Sequence, residues 1–128
     1  AFPNGLAFSP DEKYLYVAES ACERVDRFGI MSDGRLTDKQ VFVHLPGGDP
    51  DGLALDIQGN LYVAHFGGGA VYVVNPQGAI VRKILTPGQK PSNLEFAGCD
   101  LKTLYLTETE TNALYRIQVE IPGLALPK

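Results

Sequence analysis

Asn4, Asp51 and Ser92 each follow a proline, and each opens a similar apolar stretch. The stretches are Pro3-Asn4-Gly5-Leu6-Ala7-Phe8, Pro50-Asp51-Gly52-Leu53-Ala54-Leu55 and Pro91-Ser92-Asn93-Leu94-Glu95-Phe96. An amide oxygen and a carboxylate are hard donors of the kind calcium accepts in sets of about six to eight. A serine hydroxyl in the third place adds a weaker oxygen or holds a water. Taken singly, Asn-Gly and Asp-Gly are turn signals. Recurrence at one register makes them candidates for a shared site, with Asn4 and Asp51 as metal ligands.

The register is set by a repeat. Pro3, Pro50 and Pro91 lie 47 and then 41 residues apart, the length of one four-stranded propeller blade. Behind each opening comes a Leu-Tyr-apolar strand, at Leu15–Ala18, Leu61–Ala64 and Leu104–Thr107. Third strands follow at Val25–Phe28, Val71–Val74 and Leu114–Ile117. Turn-forming residues separate the first two strands of each repeat. Outer strands are expected at Leu36–Leu45 and Ala79–Leu85. After Val119 the chain offers only Ile121-Pro122-Gly123-Leu124-Ala125-Leu126, where proline argues against a central strand. The expected fold is therefore all-β: a β-propeller with three blades present, the last lacking its outer strand, in a single partial domain over 1–128. The blade repeats run about 1–48, 49–89 and 90–128. Propellers close with about four to eight blades, so three make an arc, and both ends of the arc are expected to expose an apolar sheet face.

Alternating strand direction puts the first hairpin turns on one face of the blades and the inter-blade loops on the other. That second face carries Asn4, Asp51 and Ser92, with Asn93 beside Ser92. It also carries Glu19-Ser20, His65-Phe66-Gly67-Gly68-Gly69 and Glu108-Thr109-Glu110. Loops on one rim of a rigid scaffold are where binding residues gather. His65, Ser92, Asn93, Glu19 and Glu108 are the candidates to line a substrate pocket. For His65 a satisfied rim histidine is the competing reading, and for the two glutamates a solvated rim carboxylate. Tyr16, Tyr62 and Tyr105 share a register and read as blade packing.

A net charge of -4 with scattered lysines and arginines argues against nucleic acid or an anionic membrane as partner. No apolar run approaches the ~20 residues that span a bilayer. The glycine run lacks the strand-to-helix setting of a phosphate loop, and no Ser-His-Asp set suggests a serine hydrolase. Cys22 and Cys99 lack zinc-site spacing and read as unpaired thiols. They leave the compartment open, with the cytoplasm as the default expectation.

The motifs Pro3-Asn4-Gly5-Leu6 and Pro50-Asp51-Gly52-Leu53, followed by Asp56-Ile57-Gln58-Gly59-Asn60-Leu61-Tyr62-Val63-Ala64, give the chain a recognisable likeness. It resembles the senescence-marker-protein, gluconolactonase and luciferin-regenerating-enzyme-like family over essentially its whole length, as the C-terminal half of a six-bladed propeller. The resemblance implies a metal-dependent lactonase-like hydrolase acting on a small-molecule lactone or ester. The implied cofactor is a divalent metal, calcium first, with zinc, magnesium or manganese also compatible. Asn4 and Asp51 match the family's Asn and Asp ligands, and Asp51 is also the candidate catalytic base. The family's Glu ligand comes from a blade with no counterpart here, so the isolated chain is expected to be inactive. Completion of the ring then needs either the missing N-terminal half or a second copy of the chain. The alternative function is a non-catalytic propeller module that binds a protein or ligand at its rim.

Overall fold

Each repeat folds into one antiparallel sheet whose strands lie side by side in chain order. The structure, a computed structural model, describes residues 1–125. The first sheet comprises β1 (Pro3–Phe8), β2 (Tyr14–Glu19), β3 (Arg24–Ile30) and β4 (Leu36–His44). The second comprises β5 (Asp49–Leu55), β6 (Leu61–Phe66), β7 (Ala70–Val74) and β8 (Ile80–Leu85). The third contains β9 (Pro91–Ala97), β10 (Thr103–Glu108) and β11 (Ala113–Gln118), with β11 at its outer edge. Short hairpins enforce this order: Asp56, fully buried, accepts hydrogen bonds from the Gln58 and Asn60 backbone amides and the Asn60 side chain. Such a local side-chain turn competes successfully with continued strand. After β11 the chain crosses to the end of β5, where Ile57 N–H donates to Pro122 O and Leu124 N–H to Leu55 O.

Residue alternation along the strands creates the two inter-blade cores. Tyr16, Ala18 and Val25 of the first blade bury against Leu53, Leu55, Leu61 and Val63 of the second. Tyr62, Ala64, Val71 and Val73 on the other side of the second blade bury against Leu94, Phe96, Leu104 and Leu106 of the third. Tyr16 meets Phe42 edge-on, and Tyr62 meets Phe96 likewise at 5.1 Å between centroids, the arrangement that aromatic quadrupoles favour. The chain is thus three blades of a β-propeller. Among the described residues no helix is long and apolar enough to cross a membrane, and both cysteines are free.

The two ends of the arc differ in character. On the first blade Leu6 and Phe8 are 60% and 50% exposed, although their repeat counterparts Leu53, Leu55, Leu94 and Phe96 are all buried. On the third blade the outward face carries Glu95, Tyr105, Thr107, Leu114 and Arg116. Glu95 stands where Ala7 and Ala54 pack in the inter-blade cores. The expectation of an apolar face therefore holds at the first end, and the last blade presents a mixed one.

Candidate functional site

A β-bulge opens every inner strand. In β1, Pro3 pairs with Glu19 and Leu6 with Val17, so Asn4 and Gly5 together oppose Ala18. In β5, Pro50 pairs with His65 and Leu53 with Val63, leaving Asp51 and Gly52 opposite Ala64. In β9 the register shifts between the Pro91–Glu108 and Asn93–Thr107 pairs, and Ser92 is the extra residue. A bulge breaks the alternation of faces and re-aims one side chain. This is the local reason why Asn, Asp and Ser can occupy one register in strands that otherwise read as core.

The glycine after each ligand candidate brings neighbouring bulges together. A β-carbon on Gly5 would lie 2.1 Å from the Asp51 main-chain oxygen, and one on Gly52 would lie 2.3 Å from Asn93 Oδ1. Only a residue without a side chain permits that approach. Asn4 and Asp51 consequently line one cavity of about 410 Å³, together with Phe2, Ser20, Asp49 and Phe66. Ser20, buried in a single 3-10 turn after β2, joins the two blades. Its Oγ donates to Pro50 O at 2.6 Å and accepts a long 3.4 Å contact from Asn4 Nδ2. Burial pushes the Asp51 carboxyl above its ordinary range; the neighbouring Asp49 charge adds to this, and the Asn4 amide acts in the opposite sense.

The donors of this cavity are oxygens, two carboxylates and an amide, which suits a hard cation. Their number is about half of what calcium takes. Among the described residues no cluster of three or more His, Cys, Asp or Glu side chains is placed to hold a metal. Asn4 and Asp51 thus fit such a cation in kind but are too few to complete its coordination.

The remaining sequence candidates lie elsewhere. Ser92 Oγ sits 2.8 Å from Thr107 Oγ1, and Asn93 lines a separate groove with Gly5, Leu53 and Thr107. Glu19, His65 and Glu108 are all buried, at or next to the last residue of their strands. Glu19 Oε2 lies 2.6 Å from the Ala1 main-chain nitrogen. His65 Nε2 lies 2.8 Å from Leu45 O. Glu108 accepts from the Lys90, Glu110 and Thr111 backbone amides and the Thr111 hydroxyl. Burial opposes ionisation of Glu108, but those four donors outweigh it and hold its carboxyl down to about 2. Ser20 and Asp49 line the cavity with Asn4 and Asp51, and the sequence alone gave them no role. The Asp49-Pro50-Asp51 triplet was the legible signal for Asp49, whereas nothing local marks Ser20 as a cross-blade donor.

Three blades whose inner-strand bulges gather amide and carboxylate oxygens at one end define part of a propeller, with its candidate site on the rim opposite the first hairpin turns. Residues 1–110 match the SMP-30/Gluconolactonase/LRE-like region, and the chain belongs to that family. It is 33% identical to the 6-deoxy-6-sulfogluconolactonase of Pseudomonas putida, over 97% of this chain and 48% of the relative. A solved luciferin-regenerating enzyme superposes with a TM-score of 0.87 at 25% identity, covering 97% of this chain and 48% of that one. Regucalcin of Agrobacterium tumefaciens, described as a calcium-binding protein, shares the fold with a TM-score of 0.83 at 22% identity. It covers 98% of this chain and 50% of that one. The chain therefore spans about half the length of the relatives it matches.

Proposed function

We propose that these blades supply part of the active site of a metal-dependent lactone hydrolase. Asn4 and Asp51 hold the cation, which is calcium, and further blades complete both ring and coordination. The observation that carries this reading is the delivery of Asn4 and Asp51 into one cavity by equivalent bulges on adjacent inner strands, in a chain whose family includes lactonases. When bound, the cation supplies Lewis-acid polarisation of the lactone carbonyl.

The chain's own residues do the rest. Ser20 ties Asn4 to the Pro50 carbonyl that precedes Asp51, and Phe2 and Phe66 line the cavity's flanks. Asp51 is the residue available to take a proton from an attacking water. The exposed apolar face of Leu6 and Phe8 is where a further blade packs, supplied by the rest of a longer chain or by a second copy.

Hydrolysis of aldonolactones followed by pH-stat, with calcium and after chelation, tests the proposal on the native protein. Calcium-dependent turnover that falls on the order of 10²–10⁴-fold in Asp51→Asn is the expected result. A folded protein that binds a partner at this rim, hydrolyses no lactone and ignores calcium would establish the non-catalytic module instead.

A further inference from the structure

We infer that His65 is a positioning residue for Asp51: its ring ties down the linker that enters the second blade and so fixes the bulge carrying the carboxylate. The inference rests on the metal-site reading above. His65 is 1% exposed and reaches out of β6 to the preceding linker. There the Leu45 carbonyl, 2.8 Å from Nε2, can only accept, so Nε2 carries the hydrogen. The ring stands edge-on to Tyr72 at 5.1 Å. Glycines face it on two sides: a β-carbon on Gly68 would lie 2.0 Å from Nδ1, and one on Gly48 would lie 2.9 Å from Cε1. Gly48 belongs to the same linker as Leu45, so the imidazole holds that segment at two points. Pro50, four residues after the tied carbonyl's successor Pro46, pairs with His65 in the strand ladder and gives its own carbonyl to Ser20. Asp51 is the next residue.

The third blade performs the same task with other chemistry. Glu108 pairs with Pro91 as His65 pairs with Pro50. It accepts from the Lys90 amide of its own incoming linker, and a β-carbon on Gly88 would lie 2.1 Å from its Oε2. A buried polar side chain at the end of the second strand, set against a glycine of the incoming linker, thus recurs directly opposite the proline that starts the bulge.

The test is calcium affinity, measured by calorimetry on the native protein and its His65 variants. His65→Leu removes the donor and should weaken calcium by up to roughly tenfold, the low end of the ten- to a hundred-fold cost of losing a direct outer partner, because His65 acts on Asp51 through the linker. His65→Gln can still present an N–H to Leu45 O and should bind close to wild type. The ring nitrogens should report the Nε2–H tautomer by two-bond ¹H–¹⁵N correlation, before and after calcium. If His65→Leu binds calcium like wild type, whatever its melting temperature, the inference is overturned while the metal site stands. If His65→Leu does not fold, His65→Asn replaces it, one methylene shorter than Gln. Equal affinities for the Asn and Gln variants then overturn the inference. Wild type that takes up no calcium overturns the metal-site reading and this inference with it.

Discussion

The β-carbon that Gly5 lacks would sit 2.1 Å from the main-chain oxygen of Asp51. One missing side chain thereby sets the separation of two inner strands and of the two oxygen donors they carry. Gly5→Ala has to push β1 away from β5, and overpacking of this kind costs about 1–3 kcal/mol. Chemical denaturation should show that loss, and calorimetry should show weaker calcium binding in the same variant. Gly5→Ala with wild-type stability and affinity would mean that the strands part without consequence.

On the metal-site reading, Asp51 trades stability for function. Burial and the Asp49 charge disfavour its ionised form, so Asp51→Asn should raise the melting temperature of the calcium-free protein at neutral pH. The same variant should lose the calcium-induced gain. That gain is about 2.7 kcal/mol in wild type when calcium stands at a hundred times its Kd. Differential scanning calorimetry in chelator and in calcium reads both effects.

Glu108 gives the acid limb of stability. Its carboxyl is held at about 2 in the folded protein against an ordinary 4.5. A folded value below the unfolded one means that its contribution is complete above about 4.5 and is lost as pH falls through about 2. Glu108→Gln should lower the melting temperature at pH 6 and flatten its dependence on pH across that window. Parallel melting curves for wild type and variant from pH 6 to acid would assign the acid limb to other carboxylates.

Leu6 and Phe8 test the closure of the ring. Their counterparts Leu53, Leu55, Leu94 and Phe96 are buried between blades, where such a side chain is worth roughly 1.5–3 kcal/mol. If a further blade covers Leu6 in the native protein, Leu6→Asp should destabilise it at least that much. A variant that unfolds at the wild-type denaturant midpoint would show that Leu6 remains in water.

The fold was legible in the sequence because repetition supplied what a single repeat could not. Pro3, Pro50 and Pro91 fixed the register, and the Leu-Tyr-apolar strands fell into place behind them, within a residue or two of the observed bounds. Asn4 and Asp51 were legible as a pair for the same reason, although the cause of their shared aim, the bulges at Asn4-Gly5 and Asp51-Gly52, was not. A bulge is a count across two strands: Pro-x-x-Leu on one faces a stretch shorter by one residue on the other. Ser20 was illegible because its partner Pro50 lies 30 residues away. The side chains of Glu19, His65 and Glu108 could be assigned to the rim but not to their targets. Glu19 reaches the Ala1 nitrogen, His65 a linker carbonyl, and Glu108 a linker amide besides its own turn; backbone targets carry no residue-type signature.

The central claim, that Asn4 and Asp51 are ligands of one cation, is tested most directly by a crystal structure of the native protein with calcium, phased to reveal anomalous scatterers. The account predicts a peak in the channel within roughly 2.3–2.6 Å of the Asn4 side-chain oxygen and an Asp51 carboxylate oxygen, the span of calcium–oxygen bonds. It also predicts that the peak disappears in Asp51→Asn. A peak bonded to neither residue, or an empty channel at calcium concentrations that support lactone hydrolysis, would contradict it.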